Sequence, residues 1–274
     1  MTINVLVDNE TVSSRFKAVH GLSLLVRTDD QVILFDMGPD DTFIENAHAM
    51  GESLDDITLA VISHGHDDHG GGLKSFLDLE GHVPVYCSNH AFEPHYSIRN
   101  GIMKPIGLDF ALSGHQDMRP FGGRIEPVPG VTLFHMTRKE GHWPASNRNL
   151  RKASPSGPVH ETFDHEINLL VKEGDNRILI AGCAHHGITN ILDEANRISD
   201  RPVTHVISGF HMFSRSSGTT ETDDVIQDIA RILLESGASF HTLHCTGVRA
   251  YDLMKTVMED RLSYVAAGTT FTIS

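Results

Sequence analysis

The sequence predicts an α/β protein in which two mixed β-sheets pack face to face between outer helices, an αββα sandwich. Three observations carry that reading. Strands and helices alternate at both ends of the chain, short apolar runs come in hairpin-like pairs near its start, and one apolar strand runs straight into a loop crowded with histidine and glycine.

The elements follow in order. Ile3–Val7, Leu22–Val26 and Val32–Phe35 are apolar runs bounded by turn chemistry such as Thr28-Asp29-Asp30, and read as strands. Asp41–Met50 reads as a helix, Leu59–Ile62 as a buried strand, Gly70–Leu77 as a helix and Val83–Tyr86 as a strand. From about Ser88 to Glu166 the pattern loosens, with strands only near Arg124–Pro127 and Val131–His135. A long irregular excursion inside a compact chain points to a functional lid or insert rather than a linker. Strands return at Ile167–Lys172, Ile178–Ala181, Val203–Ile207, Phe240–Leu243 and Thr270–Ile273. Helices are expected at Ile188–Ile198, Thr222–Glu235 and Val248–Met258, with Gly237 stopping the middle one. One domain over residues 1–274, with its lid or insert at about 88–166, is the economical organisation.

Composition narrows the function. With 39% apolar and 21% charged residues the chain is an ordinary globular one. It shows neither a basic leader with an apolar run nor the roughly 18–20 apolar residues of a membrane helix, so a soluble, cytoplasmic protein is expected. Three scattered cysteines are too few for a disulfide framework. A formal charge of −14 argues against a general nucleic-acid binder, which needs clustered Lys and Arg. Nineteen histidines are the outlier, and histidine is the commonest metal ligand.

The histidines concentrate in Ser63-His64-Gly65-His66-Asp67-Asp68-His69-Gly70-Gly71-Gly72, directly after an apolar strand. Three imidazoles and a carboxylate there offer four ligands for a borderline divalent cation. Gly65 and the glycines at 70–72 let the backbone approach closely and then open a helix.

On these residues the chain resembles the metallo-β-lactamase superfamily, whose signature is His-x-His-x-Asp-His after a strand. The resemblance implies that fold and a two-metal site, with His64 and His66 on one ion and Asp68 and His69 on the second. It also implies a supporting role for Asp36 in Asp36-Met37-Gly38, otherwise a plain turn residue. A narrower similarity, to the dihydropterin–ribofuranosylaminobenzene phosphate synthase-like subfamily, lies in Leu6-Val7-Asp8-Asn9, His20-Gly21-Leu22-Ser23, Gly182-Cys183-Ala184-His185-His186-Gly187-Ile188, Ser208-Gly209-Phe210-His211 and His244-Cys245-Thr246-Gly247.

His185 and His244 sit at strand ends, where this fold gathers its ligands, and are assigned to the first and second ion respectively. Most two-metal members carry a bridging Asp where this chain has Cys183, which is either a thiolate ligand or a small buried thiol; His165 is another candidate for the missing ligand. His20 and His211 are acid–base groups, supporting donors or core histidines. Cys245 is left out, because adjacent side chains on an extended backbone point opposite ways. Arg138, Lys139, Arg148, Arg151 and Lys152 face only Glu140 in one stretch, which suggests an anion site with Trp143 stacking on a flat ring, or else a solvated loop.

The expected activity is therefore hydrolysis, or a related condensation, of a small anionic, phosphate- or pterin-bearing substrate. Two divalent ions would serve it, zinc first and iron or manganese as alternatives, with Asp68 and His211 as the catalytic residues. The competing readings are an iron-dependent oxidoreductase of the same fold and a non-catalytic ligand-binding or signalling module.

Overall fold

The computed structural model describes residues 1–137, 141–215 and 217–274. The chain opens with strands β1 (Thr2–Val7), β2 (Ser23–Arg27) and β3 (Val32–Phe35), helix α1 (Thr42–Met50) and strand β4 (Leu59–Val61). Short helices α2 (Asp67–Gly70) and α3 (Leu73–Leu77) follow, then β5 (Val85–Ser88), β6 (His95–Arg99), β7 (Ile102–Pro105) and β8 (Met118–Phe121). Next come β9 (Arg124–Val128), β10 (Val131–His135), β11 (Leu150–Lys152), β12 (Val159–His160), β13 (Ile167–Glu173) and β14 (Asn176–Ile180). The last part holds α4 (Ile188–Ile198), β15 (His205–Ser208), α5 (Asp223–Glu235), β16 (Ser239–Thr242), α6 (Val248–Met258), β17 (Leu262–Tyr264) and β18 (Thr270–Thr272).

Two seven-stranded mixed sheets result, ordered β18-β1-β2-β3-β4-β5-β8 and β17-β16-β15-β14-β13-β10-β9. The period-two geometry of a strand explains how they pack. Ile33 and Phe35 of β3 point inward to meet Leu169, Ile178 and Ile180 from the facing sheet, while Leu34 points outward to Phe43 and Ala47 of α1. On the other side Leu170, Leu179 and Val206 point away from the interface, under Ile191 of α4, Ile229 of α5 and Met254 of α6. Strands covered on both faces have no polar side to show, which is why they read as unbroken apolar runs.

Most elements lie where the sequence places them, and the differences have local causes. The helix expected over Gly70–Leu77 starts only at Leu73: Gly70 ends a short helix from Asp67, and Gly71 and Gly72 form the turn between them, so close to the Pro39 and Met37 carbonyls that no β-carbon fits. Thr222 caps α5 instead of joining it, its hydroxyl accepting from the Val225 amide. The stretch from Ser88 to Glu166 is more regular than its composition suggests. It supplies β8 to the first sheet, β9 and β10 to the second, and a separate four-stranded sheet ordered β12-β11-β6-β7. That small sheet touches the histidine loop: the Asp67 amide donates to the Ile106 carbonyl (2.8 Å), and His66 bridges Gly107. Among the described residues no helix is long and apolar enough to cross a membrane.

Leu169 is fully buried between the two sheets. Leu169→Ala should therefore cost about 2–5 kcal/mol of stability. Equilibrium urea unfolding measures it, as a lower midpoint at unchanged slope.

Candidate metal centre

The loop after β4 is anchored before it presents any ligand. Asp36, just past the end of β3, holds a left-handed backbone (φ +60) and a fully buried carboxylate. That carboxylate accepts from the Ser63 amide (2.7 Å), the Ser63 hydroxyl (2.7 Å) and His69 Nδ1 (2.6 Å). Because the Ser63 hydroxyl spends its one proton on Asp36, it accepts from His64 Nδ1 (2.9 Å). The sequence-level role given to Asp36 is thus visible in three contacts. Gly182 closes this network from the other sheet, where a β-carbon would overlap the Ser63 hydroxyl.

The remaining histidines arrive from other strand ends, and each has an oxygen behind it. His185, past β14, sets Nδ1 against Asn147 Oδ1 (2.9 Å), and its amide donates to Glu166 Oε1 (2.6 Å). His244, past β16, sets Nδ1 against Asn9 Oδ1 (3.1 Å), and its amide donates to Asp8 Oδ1 (2.6 Å). These acceptors assign the tautomers of His64, His69, His185 and His244: each Nδ1 carries the hydrogen and each Nε2 keeps a lone pair.

The four Nε2 atoms converge in two pairs. His64 Nε2 lies 3.3 Å from His185 Nε2, and His69 Nε2 lies 3.3 Å from His244 Nε2. In the His64–His185 pair both rings are neutral, and two buried lone pairs facing each other call for an ion between them; in the other pair the proton that Asp68 holds on His244 stands where an ion would. Two imidazoles on one tetrahedral zinc, at about 2.0–2.1 Å, place their nitrogens about 3.3 Å apart. The donor set fits the cations the sequence implied. His66 turns Nδ1 to within 3.0 Å of His64 Nε2, and Asp68 Oδ2 lies 3.5 Å from His244 Nε2 and 3.8 Å from His69 Nε2. All six sequence-assigned ligands therefore meet in one place, His64, His66 and His185 on one side and Asp68, His69 and His244 on the other.

The electrostatics suit ligands. Burial first, then neighbouring imidazoles, hold His64 and His185 well below the usual imidazole value, so both are neutral at pH 7. Burial works against a charge on His244, yet its hydrogen bond to Asp68 raises it to about 9; a cation would take the place of that proton.

The other sequence candidates separate. His211 lines the cleft with its ring centroid 4.2 Å from that of His185, and neither of its ring nitrogens has a hydrogen-bond partner among the described residues. His20 lies at the edge, Nδ1 on Asn9 Oδ1 (3.0 Å) and Nε2 3.4 Å from Asp68. His165 stands behind His66, in a buried group with His95 and Glu161. Cys245 is closer than the alternation argument allows, within 4.8 Å of Cys183 and His211, because the strand has ended and His244 is left-handed (φ +51). Of the basic stretch, Arg138 and Lys139 lie outside the described residues. Lys152 pairs with Asp164 (2.8 Å), Arg151 donates to the Arg148 and Leu150 carbonyls, and Trp143 packs near Phe163 and His186.

Sequence reasoning gave no role to Asn9, Asn147 or Glu166, which orient His244, His20 and His185. Asn9 was visible in the Leu6–Asn9 motif; Asn147 and Glu166 carried no comparable signal. It also missed Arg99 and Arg215, which line the cleft beside the two donor sets. Among the described residues no carboxylate comes within ion-pair distance of either guanidinium. The cleft itself encloses about 70 Å³. An apolar cavity of about 600 Å³, lined by Phe92, Tyr96, Leu108 and Met118, includes none of the six ligands.

A family profile for the metallo-beta-lactamase superfamily matches residues 17–225. The chain belongs to the metallo-β-lactamase superfamily. Among relatives of this superfamily member is a protein from Methanocaldococcus jannaschii named 7,8-dihydropterin-6-methyl-4-(beta-D-ribofuranosyl)-aminobenzene-5'-phosphate synthase. It is 24% identical over 93% of this chain and 90% of its own length. The crystal structure of Tm1679, described as a metal-dependent hydrolase of the beta-lactamase superfamily, is 28% identical with a TM-score of 0.85, covering 100% of this chain and 99% of that one. Zn(2+)-bound PqqB from Methylobacterium extorquens shares the fold at 13% identity and a TM-score of 0.55, each chain covered in full (100%). Members of this superfamily bind metal ions, and the histidine and cysteine groups here are donors of that kind.

Asp36→Asn should weaken metal binding about 10–100-fold while the fold persists, because its carboxylate orients the loop and sets the basicity of His69. Competition against a chromophoric chelator measures the loss. A second expectation concerns pH in the metal-stripped protein. Burial takes His165 and His241 down to about 4, and His64, His66 and His185 also lie well below their unfolded value of 6.5. A lowered histidine contributes stability that is present above its unfolded value and is lost as pH falls below it. His244, raised to about 9, has the opposite sign and loses its contribution as pH rises through that value. The lowered groups dominate, so the thermal midpoint should fall between about pH 7 and pH 5, and scanning calorimetry follows it.

Proposed function

We propose that this chain is a metal-dependent enzyme that hydrolyses a small anionic substrate, or catalyses a closely related condensation, using two divalent cations with zinc as first choice. The observation that carries the reading is the pair of facing imidazole couples, His64 with His185 and His69 with His244, each 3.3 Å apart. Bound there, the cations would supply Lewis acidity, which makes water nucleophilic near neutral pH and stabilises oxyanion charge on the substrate.

The protein's own groups do the rest. Asp68, beside the His69 and His244 pair, is held ionised by those two rings despite its burial, and orients the nucleophile as a hydrogen-bond acceptor. His211 lies beside the Cys245 thiol, its ring nitrogens meet no strict hydrogen-bond partner among the described residues, and it serves as the acid–base residue. A cleft of about 70 Å³ is well below the roughly 300–1,000 Å³ of pockets that swallow a whole small-molecule ligand, so it takes the reacting group and not the whole substrate. The substrate body therefore rests at the mouth, where Arg99 and Arg215 grip its anionic group. The relative named as a synthase supports a pterin- or phosphate-bearing substrate and keeps the condensation in view.

The test begins with plasma mass spectrometry on protein purified without a histidine tag. About two ions per chain are expected, falling in His66→Ala and His185→Ala; no bound metal after reconstitution would refute the reading. With p-nitrophenyl phosphodiesters and esters as probes, His211→Asn should lower kcat by about 10²–10⁴-fold at unchanged metal content. An Arg99→Gln, Arg215→Gln double variant should mainly raise KM for anionic probes, in steady-state comparison with neutral ones.

A further inference from the structure

A single thiol stands between the two imidazole pairs. Cys183 Sγ lies within 4.8 Å of the donor nitrogens of His64 and His185, and equally within 4.8 Å of those of His69 and His244. Its sulfur is 3.2 Å from His69 Nε2. An imidazole and a thiolate sharing one tetrahedral ion, at about 2.05 and 2.3 Å, sit about 3.6 Å apart, a few tenths beyond that separation. The chain holds Cys183 there by close packing. Gly182 presses on Ser63, Ala184 is left-handed (φ +54), and the Gly209 amide donates to the Gly182 carbonyl (2.9 Å).

The other groups near this position are accounted for. Asp68 reaches His69 and His244, and among the described residues it makes no ion pair with His64 or His185. His165 accepts the Gly65 amide at Nδ1 (2.9 Å), which leaves its hydrogen on Nε2 and no lone pair there for a cation. Cys245 lies in a group with Cys183 and His211, its thiol hydrogen-bonded to that of Cys183.

We propose that Cys183 is a bridging thiolate, the one ligand shared by a cation on His64 and His185 and a second cation on His69 and His244. On binding, the S–H bond breaks heterolytically; the electron pair stays on sulfur and the proton passes to solvent. A soft sulfur at the shared position selects zinc or ferrous iron over magnesium or manganese. The proposal rests on the two-cation reading above, and the experiment separates the two.

Metal-stripped protein is titrated anaerobically with cobalt(II), and the near-ultraviolet thiolate-to-cobalt charge-transfer band is recorded. The expected band grows until two equivalents have bound. It is lost in Cys183→Ser and retained in Cys245→Ser and Cys87→Ser. Cys183→Asp, which replaces sulfur by a carboxylate that can also bridge, should still bind two equivalents without the band. It should also gain in manganese affinity relative to zinc, which guards against a serine variant that merely fails to fold. Two equivalents bound with no band, or a band that survives Cys183→Ser, would overturn the thiolate and leave the two-cation centre standing. A band complete at one equivalent would make the thiolate a ligand of one ion and overturn the bridge. No cobalt bound would overturn the metal centre and the bridge together.

Discussion

The site depends on one electrostatic constraint: four imidazoles are forced to turn their Nε2 atoms toward one another, with lone pairs facing in the His64–His185 pair and only a proton held by Asp68 between His244 and its neighbours. Each has its N–H tied to an oxygen behind it, His64 to Ser63, His69 to Asp36, His185 to Asn147 and His244 to Asn9. Without those acceptors the rings would rotate and pair N–H to N, and the pocket would be an ordinary buried histidine cluster. With them, positive charge is the favourable filling, and the oxygens raise the basicity of the nitrogens that would receive it.

Backbone conformation serves the same end. Asp36, Ala184, His211 and His244 are non-glycine residues with φ between +51 and +60, a region that costs of order 1 kcal/mol or more for each. All four lie where a strand stops and the chain must turn side chains into the gap between the sheets. The core beneath is conventional, with Leu, Ile, Val and Phe alternating to the two faces of each sheet. That rigid base offsets the strain, and the ligands come from strand ends rather than from a long mobile loop.

A second buried histidine group, His66, His95 and His165 with Glu161, joins the four-stranded sheet to the centre. His95 Nδ1 meets Glu161 Oε2 at 2.8 Å, while Nε2 of His66, His95 and His165 are buried without hydrogen-bond partners among the described residues. The small sheet therefore gives the metal loop a polar wall and also lines the open cleft through Ser97 and Arg99 of β6, with Arg215 lining it as well.

Much of this was legible in the sequence. Unbroken apolar runs specify strands buried on both faces, and Gly237 marked the stop of α5, whereas Thr222, read as part of that helix, caps it. The run from His64 to His69 announces a metal loop because its ligands are neighbours in the chain, and the resemblance it carries brought His185 and His244 with it. The small sheet did not announce itself, since β6, β7, β11 and β12 are short, partly exposed and poor in alternating apolar residues. Nor could the sequence choose between Cys183 and His165, and it pointed to the basic stretch near residue 148 while passing over Arg99 and Arg215. Those choices depend on which nitrogen already holds a hydrogen, which cation already has a carboxylate, and which strand ends come within a few ångströms. The sequence by itself determined the fold and the kinds of donor atom. Only the tertiary structure decided which donors share a point in space, because sites more than 200 residues apart, Asn9 and His244, are joined by the packing of two sheets.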